Sequence, residues 1–273
     1  MAMKKFFFLM FLPLTLFTDT TEIWKPTDYI WSYGFALDCN LPARNQSGLN
    51  WNPDTMYNDI IDGDIIWVPA GNTANFINSV FPKIEKNIII ILNCADESFP
   101  SYFQNRGIDI FSFIEDPRII HIFAQNSDLG TSHAKVTTIP IGLDFHTLAR
   151  DSWNAYDPSS FQLPKDQEAL WKKKGEYAFS ISPHGNGWDC QRTWEDLILG
   201  CIVIVKTSPL DCLYKDLPVV NVQDWSEVTS QNLEKWGSRF GNVLHNLSYR
   251  EKLTHCYWMA KIKAKQAQYL SQE

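Results

Sequence analysis

"EYAFSISPHGNGWDCQRTWEDLILGCIVIV", residues 176–205, decides the fold. "EYAFSIS" (176–182) reads as a strand and "PHGNGW" (183–188) as a loop rich in turn residues. Asp189 is the predicted N-cap of a helix over "CQRTWEDLIL", with Trp194, Leu197 and Ile198 on one apolar face. Gly200 stops that helix, and "CIVIVK" (201–206) is a continuous β-branched run, as a strand buried on both faces requires. A strand, a helix and a second strand in this order imply parallel strands joined by a crossover.

The same alternation extends both ways. Downstream, "PLDCLYKD" predicts a turn or short helix, "PVVNVQDW" (218–225) a strand and "SEVTSQNLEKWGSRF" (226–240) a helix. The tail over 247–270 reads as a helix with Leu253, Tyr257, Ala260, Ala264 and Ala267 on its apolar stripe. Upstream, "DIIWVPA" (64–70), "NIIIILNCAD" (87–96), "RIIHIFAQN" (118–126) and "KVTTIPIGL" (135–143) read as strands. Helical segments separate some of them, at "ANFINSVFPKI" (74–84) and "YFQNRG". The polar, Pro-containing stretch 151–170 reads as a linker. The fold expected is α/β, with two Rossmann-like parallel-sheet domains facing a crevice. These are residues 21–150 and 173–273, joined by a linker over 151–172.

A 273-residue chain that is 45% hydrophobic and 20% charged has ample material for a packed core. A net charge of −7 argues against nucleic acid as a partner. Eleven tryptophans fit large cores, and their flat faces also stack on sugars and bases. Lys4 and Lys5 precede the apolar run 6–17, which is short for a bilayer span. Residues 1–20 therefore read as a secretory signal peptide, with an uncleaved membrane anchor as the alternative. That places the chain in the secretory route (Golgi or ER lumen, or periplasm), or anchored to a membrane. The even number of cysteines (Cys39, Cys94, Cys190, Cys201, Cys212, Cys256) permits disulfides, and no pair has zinc-ligand spacing. Cys201 reads as a small core residue. Sequons stand at Asn45 and Asn246.

The chemistry concentrates after the 176–182 strand. In parallel α/β sheets ligands bind beyond the carboxyl ends of the strands, where helices begin. Gly185, Asn186 and Gly187 offer backbone amides to an anion, and the helix start adds partial positive charge. Arg192 can fork two hydrogen bonds to phosphate oxygens. Glu195, three residues on, is expected to share its face and to accept from ribose hydroxyls. His184 is a candidate contact to phosphate or sugar. Lys206, Thr207 and Ser208 after one strand, and Asp224 and Trp225 after the next, should rim the same crevice. The glycine spacing fits neither a dinucleotide fingerprint nor a Walker loop. An ordinary βα turn with a surface Arg–Glu pair is the competing reading.

Residues 176–205, followed by "SPLDCLYKDLPVVNVQDWSEVT", resemble the C-terminal block of exostosin-like glycosyltransferases. Arg192 and Glu195 match an Arg-x-x-Glu motif ahead of Leu197, Leu199, Gly200, Cys201 and Ile202. "IILNCADESFPSYF", "IFAQN" and "TTIPIGLDFHTL" resemble the N-terminal domain of the same group, so the likeness covers roughly residues 60–240. It implies a two-domain GT-B enzyme with no bound metal or cofactor and a nucleotide-diphosphate sugar as co-substrate. The sugar passes to a glycan or other hydroxyl acceptor. Of His184, Gly185, Asn186, Gly187, Asp189, Arg192, Glu195, Lys206, Ser208, Asp224 and Trp225 it makes a donor site. Asp96, Asp144 and His146, at strand ends of the N-terminal half, are its candidate bases. "DGD" (62–64) precedes a strand and is discounted as a metal motif. Where the family carries another strand–helix–strand section, only residues 149–175 intervene here, so the C-terminal domain looks shortened. A catalytically inactive relative that binds glycan or nucleotide is the alternative, and a hydrolase using Cys190 and His184 a more distant one.

Overall fold

The computed structural model describes residues 29–41, 57–94, 96–144, 165–246 and 248–272. The signal stretch, Asn45, His146 and most of the expected linker lie outside them. In chain order the elements are α1 (Ser32–Asp38), β1 (Asp64–Pro69), helical turns over 70–83 and β2 (Ile88–Asn93). Then come α2 (Ser101–Gln104), α3 (Ile110–Glu115), β3 (Ile119–Ala124) and β4 (Val136–Thr138). The second half holds α4 (Lys165–Lys174), β5 (Phe179–Ile181), α5 (Gln191–Ile198), β6 (Ile202–Lys206) and β7 (Val219–Val222). It ends with α6 (Ser230–Asn246) and α7 (His255–Leu270).

The molecule is α/β, with two wholly parallel sheets ordered β1-β2-β3-β4 and β5-β6-β7. Crossovers between parallel strands are right-handed, so a sequential order puts them all on one face. Turns 70–83 with α2 and α3 accordingly pack Phe76, Phe103 and Phe113 on Ile66, Ile88 and Ile90. The opposite face of that sheet carries Ile65, Trp67, Ile89 and Ile91. They join one continuous core with Trp194 and Leu197 of α5, Val203 and Val205 of β6, and Trp258 and Ile262 of α7. The second sheet thus turns its crossover helix inward, toward the first sheet. Its outer face is covered by Phe240 of α6 against Ile202 and Ile204. A sequential order also means that neither sheet reverses strand direction of growth, the place where open sheets usually open a ligand crevice. A site at the carboxyl ends has to come from loops of both sheets together.

Buried polar groups lock the inner layer. Asn93 is fully buried; its Oδ1 accepts from Trp67 Nε1 at 2.6 Å and its Nδ2 donates to the Ser32 carbonyl at 3.0 Å. This pins α1 across β1 and β2. No disulfide forms among the described residues, and Cys201 is the core residue expected, its thiol pushed by burial up to about 12.

Several expectations are corrected. Residues 165–172, expected in the linker, belong to α4, with Asp166 and Glu168 in its first turn and Lys172, Lys173 and Lys174 in its last. Those charges complement the helix dipole, which outweighs an apolar content of little more than Leu170 and Trp171. α3 was not foreseen because "IFSFIE" is rich in strand-favouring residues. It forms because Asp109 caps it, accepting from Ser112 N, and Phe113 and Ile114 are buried. The helix over 74–84 is broken into α, π and 3₁₀ pieces, the last, Phe81–Lys83, carrying Pro82. Residues 225–227 form a separate 3₁₀ turn, so the following helix begins at Ser230. The C-terminal stripe is rotated: α7 buries His255, Trp258, Met259 and Ile262, while Ala260, Ala264 and Ala267 face water. The bulk of Trp258 and Met259 decides the face, since alanines release little on burial. Among the described residues no helix is long and apolar enough to cross a membrane.

Candidate functional site

The glycine-rich loop leaves β5 and reaches the carboxyl ends of β2 and β3 in the other sheet. A Cβ on Gly187 would stand 2.7 Å from Asn126 Nδ2 and 2.9 Å from the Asp96 carbonyl oxygen. That close approach is why glycine occupies 187. Asp189 N donates to Asn126 Oδ1 at 2.8 Å. The receiving strand ends are strained: Cys94 and Asn126 adopt φ of 70° and 51°, in the left-handed region. Such backbone outliers concentrate at functional sites. Asn126 and Cys94 were not among the expected site residues. The polar "QNS" closing an apolar strand was the available signal.

Asp189 is not the helix cap. Cys190 occupies that position, and its side chain makes no capping hydrogen bond. Asp189 is buried, with Oδ2 accepting from Ile141 N at 2.7 Å and Oδ1 from Trp194 Nε1 at 2.8 Å. It ties the end of the first sheet to α5. Burial pushes its carboxyl up to about 7, against the pull of these donors.

Glu195 is also placed differently from expectation. It does not share the solvent face of Arg192; it is buried, accepting from Trp171 Nε1 at 3.3 Å and Lys174 Nζ at 3.4 Å. Burial raises its carboxyl and Lys174 pulls it back. Lys174 Nζ also lies 2.9 Å from Asp196 Oδ1, and Ser180 Oγ donates to Asp196 Oδ2 at 2.5 Å. This buried cluster fastens α4 to α5.

Arg192 is exposed on the first turn of α5, and His184, Gly185 and Asn186 are exposed in the loop. Gly185 N–H is committed inward, to Cys190 Sγ at 3.1 Å and the Gly187 carbonyl at 3.1 Å. The amides of Asn186 and Gly187 carry no hydrogen bond among the described residues. Burial pushes the Cys190 thiol up, and it feels both Asp96, which raises it further, and Arg192, which lowers it. The Asp96 backbone lies against Gly187 of this loop, and Arg192 stands on the helix that follows it, so the two come from different sheets. Asp96 is exposed. Asp144 is half-buried and follows Leu143, whose N–H binds the Ile30 carbonyl at 2.7 Å.

The remaining expected residues gather at the ends of β6 and β7. Lys206 Nζ lies 3.8 Å from Asp224 Oδ2 and 5.8 Å from the Trp225 ring centroid. Ser208 and Asp224 cap 3₁₀ turns in capping boxes with Asp211 and Glu227. Both are thus committed to local structure. A separate cleft of 460 Å³ is lined by Tyr57, Asn58, Lys83 and Lys86 at the amino ends of β1 and β2. It is at the opposite end of the sheet from the loop, where this kind of fold does not place ligands.

No protein-family model matches the chain, and no curated protein matches it significantly.

Proposed function

We propose that the chain binds a nucleotide-diphosphate sugar at the 184–192 loop and transfers the sugar to a hydroxyl acceptor. The observation that carries this reading is the juxtaposition at the seam. A glycine-rich turn and an uncapped helix start, with exposed Arg192, come from one sheet; exposed Asp96 comes from the other. The amides of Asn186 and Gly187, the positive end of α5 and the Arg192 guanidinium would take the diphosphate. The acceptor oxygen attacks the anomeric carbon as its bond to the diphosphate breaks. Asp96 receives the acceptor's proton, and Arg192 with the loop amides holds the charge that appears on the leaving group.

Glu195 supports the second reading, of a binding protein without transfer. Its engagement with Trp171 and Lys174 removes it from the ribose role. Titration of UDP, GDP and CDP into the wild type and Arg192→Ala tests the site. Binding that drops at least tenfold, about 1.4 kcal/mol, in the variant is expected. No binding of any diphosphate to the wild type would refute the transfer reading and leave the second only as a glycan binder. Binding with no sugar transfer or donor hydrolysis would leave the second.

A further inference from the structure

One buried residue bonds loops of both sheets. Asn126 follows β3, is fully buried, and sits in the left-handed region at φ 51°. Asparagine is one of the few side chains that enter that region readily. Its side chain meets the loop of the second sheet. Oδ1 accepts from Asp189 N at 2.8 Å, and Nδ2 lies 2.7 Å from where a Cβ on Gly187 would stand. Its main chain meets the loop after β2: the Asn126 carbonyl accepts from Phe99 N at 3.0 Å.

The neighbours of Asn126 extend that grip. Gln125 Oε1 accepts from Cys94 N at 3.0 Å. Asp128 N donates to the Phe99 carbonyl at 2.8 Å, and Asp128 Oδ2 accepts from Ser101 N at 3.2 Å. Residues 125–128 therefore hold the chain on both sides of Asp96, at Cys94 and at Phe99–Ser101. Asp96 stands exposed between these anchors, with its carbonyl against Gly187. Asn126 adds to them the bond that reaches across to the other sheet.

We infer that Asn126 is a positioning residue: it sets Asp96 against the diphosphate loop, so that filling the loop also orders the segment that carries the base. The inference rests on the function proposed above for that loop and for Asp96. A general base acts only within hydrogen-bond reach of the proton it takes, and a misplacement of about 1 Å is costly. Here the base and the leaving-group amides stand on different sheets, so their spacing is set by contacts between loops. A diphosphate on the amides of Asn186 and Gly187 stills the loop. The Asp189 N to Asn126 Oδ1 bond passes that restraint to Asn126, and the Phe99 amide passes it on toward Asp96.

Hydrogen–deuterium exchange of the full chain, with and without saturating UDP, GDP or CDP, tests this. In the wild type the diphosphate that binds is expected to slow exchange by about fivefold or more, over both 183–192 and 96–103. Asn126→Gly accepts the left-handed backbone without steric cost and loses the side-chain bond. Asn126→Ser is too short to reach Asp189 N. Both variants should keep the slowing over 183–192 and lose it over 96–103. A residue that served only the fold would alter exchange with and without ligand alike, leaving the ligand-induced difference in place. Slowing over 96–103 that persists in either variant would overturn the inference alone. So would a wild type that binds diphosphate with slowing confined to 183–192, a result that needs no variant. No binding of any diphosphate to the wild type would instead remove the donor site, and this inference with it.

Discussion

The two sheets are built to the same plan and finished differently. In the first, every residue of β2 is buried, crossovers cover one face and the shared core covers the other. In the second, β5 is half-exposed along its length, and α4 is held beside it by one buried aromatic, Trp171, and a cluster of charges. The first sheet is stabilised by area, which is redundant. At its β5 edge the second adds a few polar contacts to its apolar layers, each with no substitute. Buried charge is costly unless paired, so such contacts concentrate risk.

The largest expected effect follows from that asymmetry. Lys174→Met would leave Glu195 and Asp196 together without their cation. A loss of about 3–5 kcal/mol in denaturant unfolding is expected for breaking a buried pair this way. A loss no larger than a surface substitution gives would show that the cluster is solvated and that the two sheets do not differ.

Next comes acidity. Asp189, at about 7, keeps its proton in the folded chain over a range in which the unfolded chain, titrating near 3.8, has released it. Stability therefore falls as pH rises through that window and levels off above it, by on the order of 4 kcal/mol. His121 in the first sheet is pushed down to about 4 by burial, and further by Lys265 and His133. The unfolded chain takes up that proton from about 6.5 downward, so stability is lost as pH falls from there to about 4, by on the order of 3 kcal/mol. The two slopes oppose each other in the wild type. The urea midpoint across this range should fall on acidification in Asp189→Asn and fall toward neutrality in His121→Gln. The same profile in both variants would refute the assignment.

The smallest effect sharpens the contrast. Ile181→Ala in β5 should change stability by no more than about 0.5 kcal/mol in dilute solution. Ile90→Ala, fully buried in β2, should cost about 2–5 kcal/mol.

The part of this that the sequence made legible was local. "IIII" at 88–91 and "IVIV" at 202–205 read as doubly buried strands and are so. Trp194, Leu197 and Ile198 face the core as their spacing requires. What was illegible depends on distant partners. An acid after a glycine-rich loop looks like a cap. Asp189 is instead claimed by Ile141 N, 48 residues earlier. Glu195 sits where an exposed residue belongs by spacing from Arg192. Trp171 and Lys174 cover it from a helix that lacks apolar periodicity. Exposure is a property of the neighbours, and no pattern within 190–199 records them.

Gly187 bears on which changes the chain can accept over generations. The obstacle to a side chain there includes the Asp96 carbonyl, a main-chain atom that every amino acid carries. No replacement at position 96 can clear the way, so the glycine has no permissive partner substitution. Gly34 is hemmed in differently, by the side chains of Trp31 and His255. A smaller residue at either of those could release it. Mutational drift can therefore trade at position 34 through paired changes, while position 187 stays fixed for as long as the two sheets meet where they do.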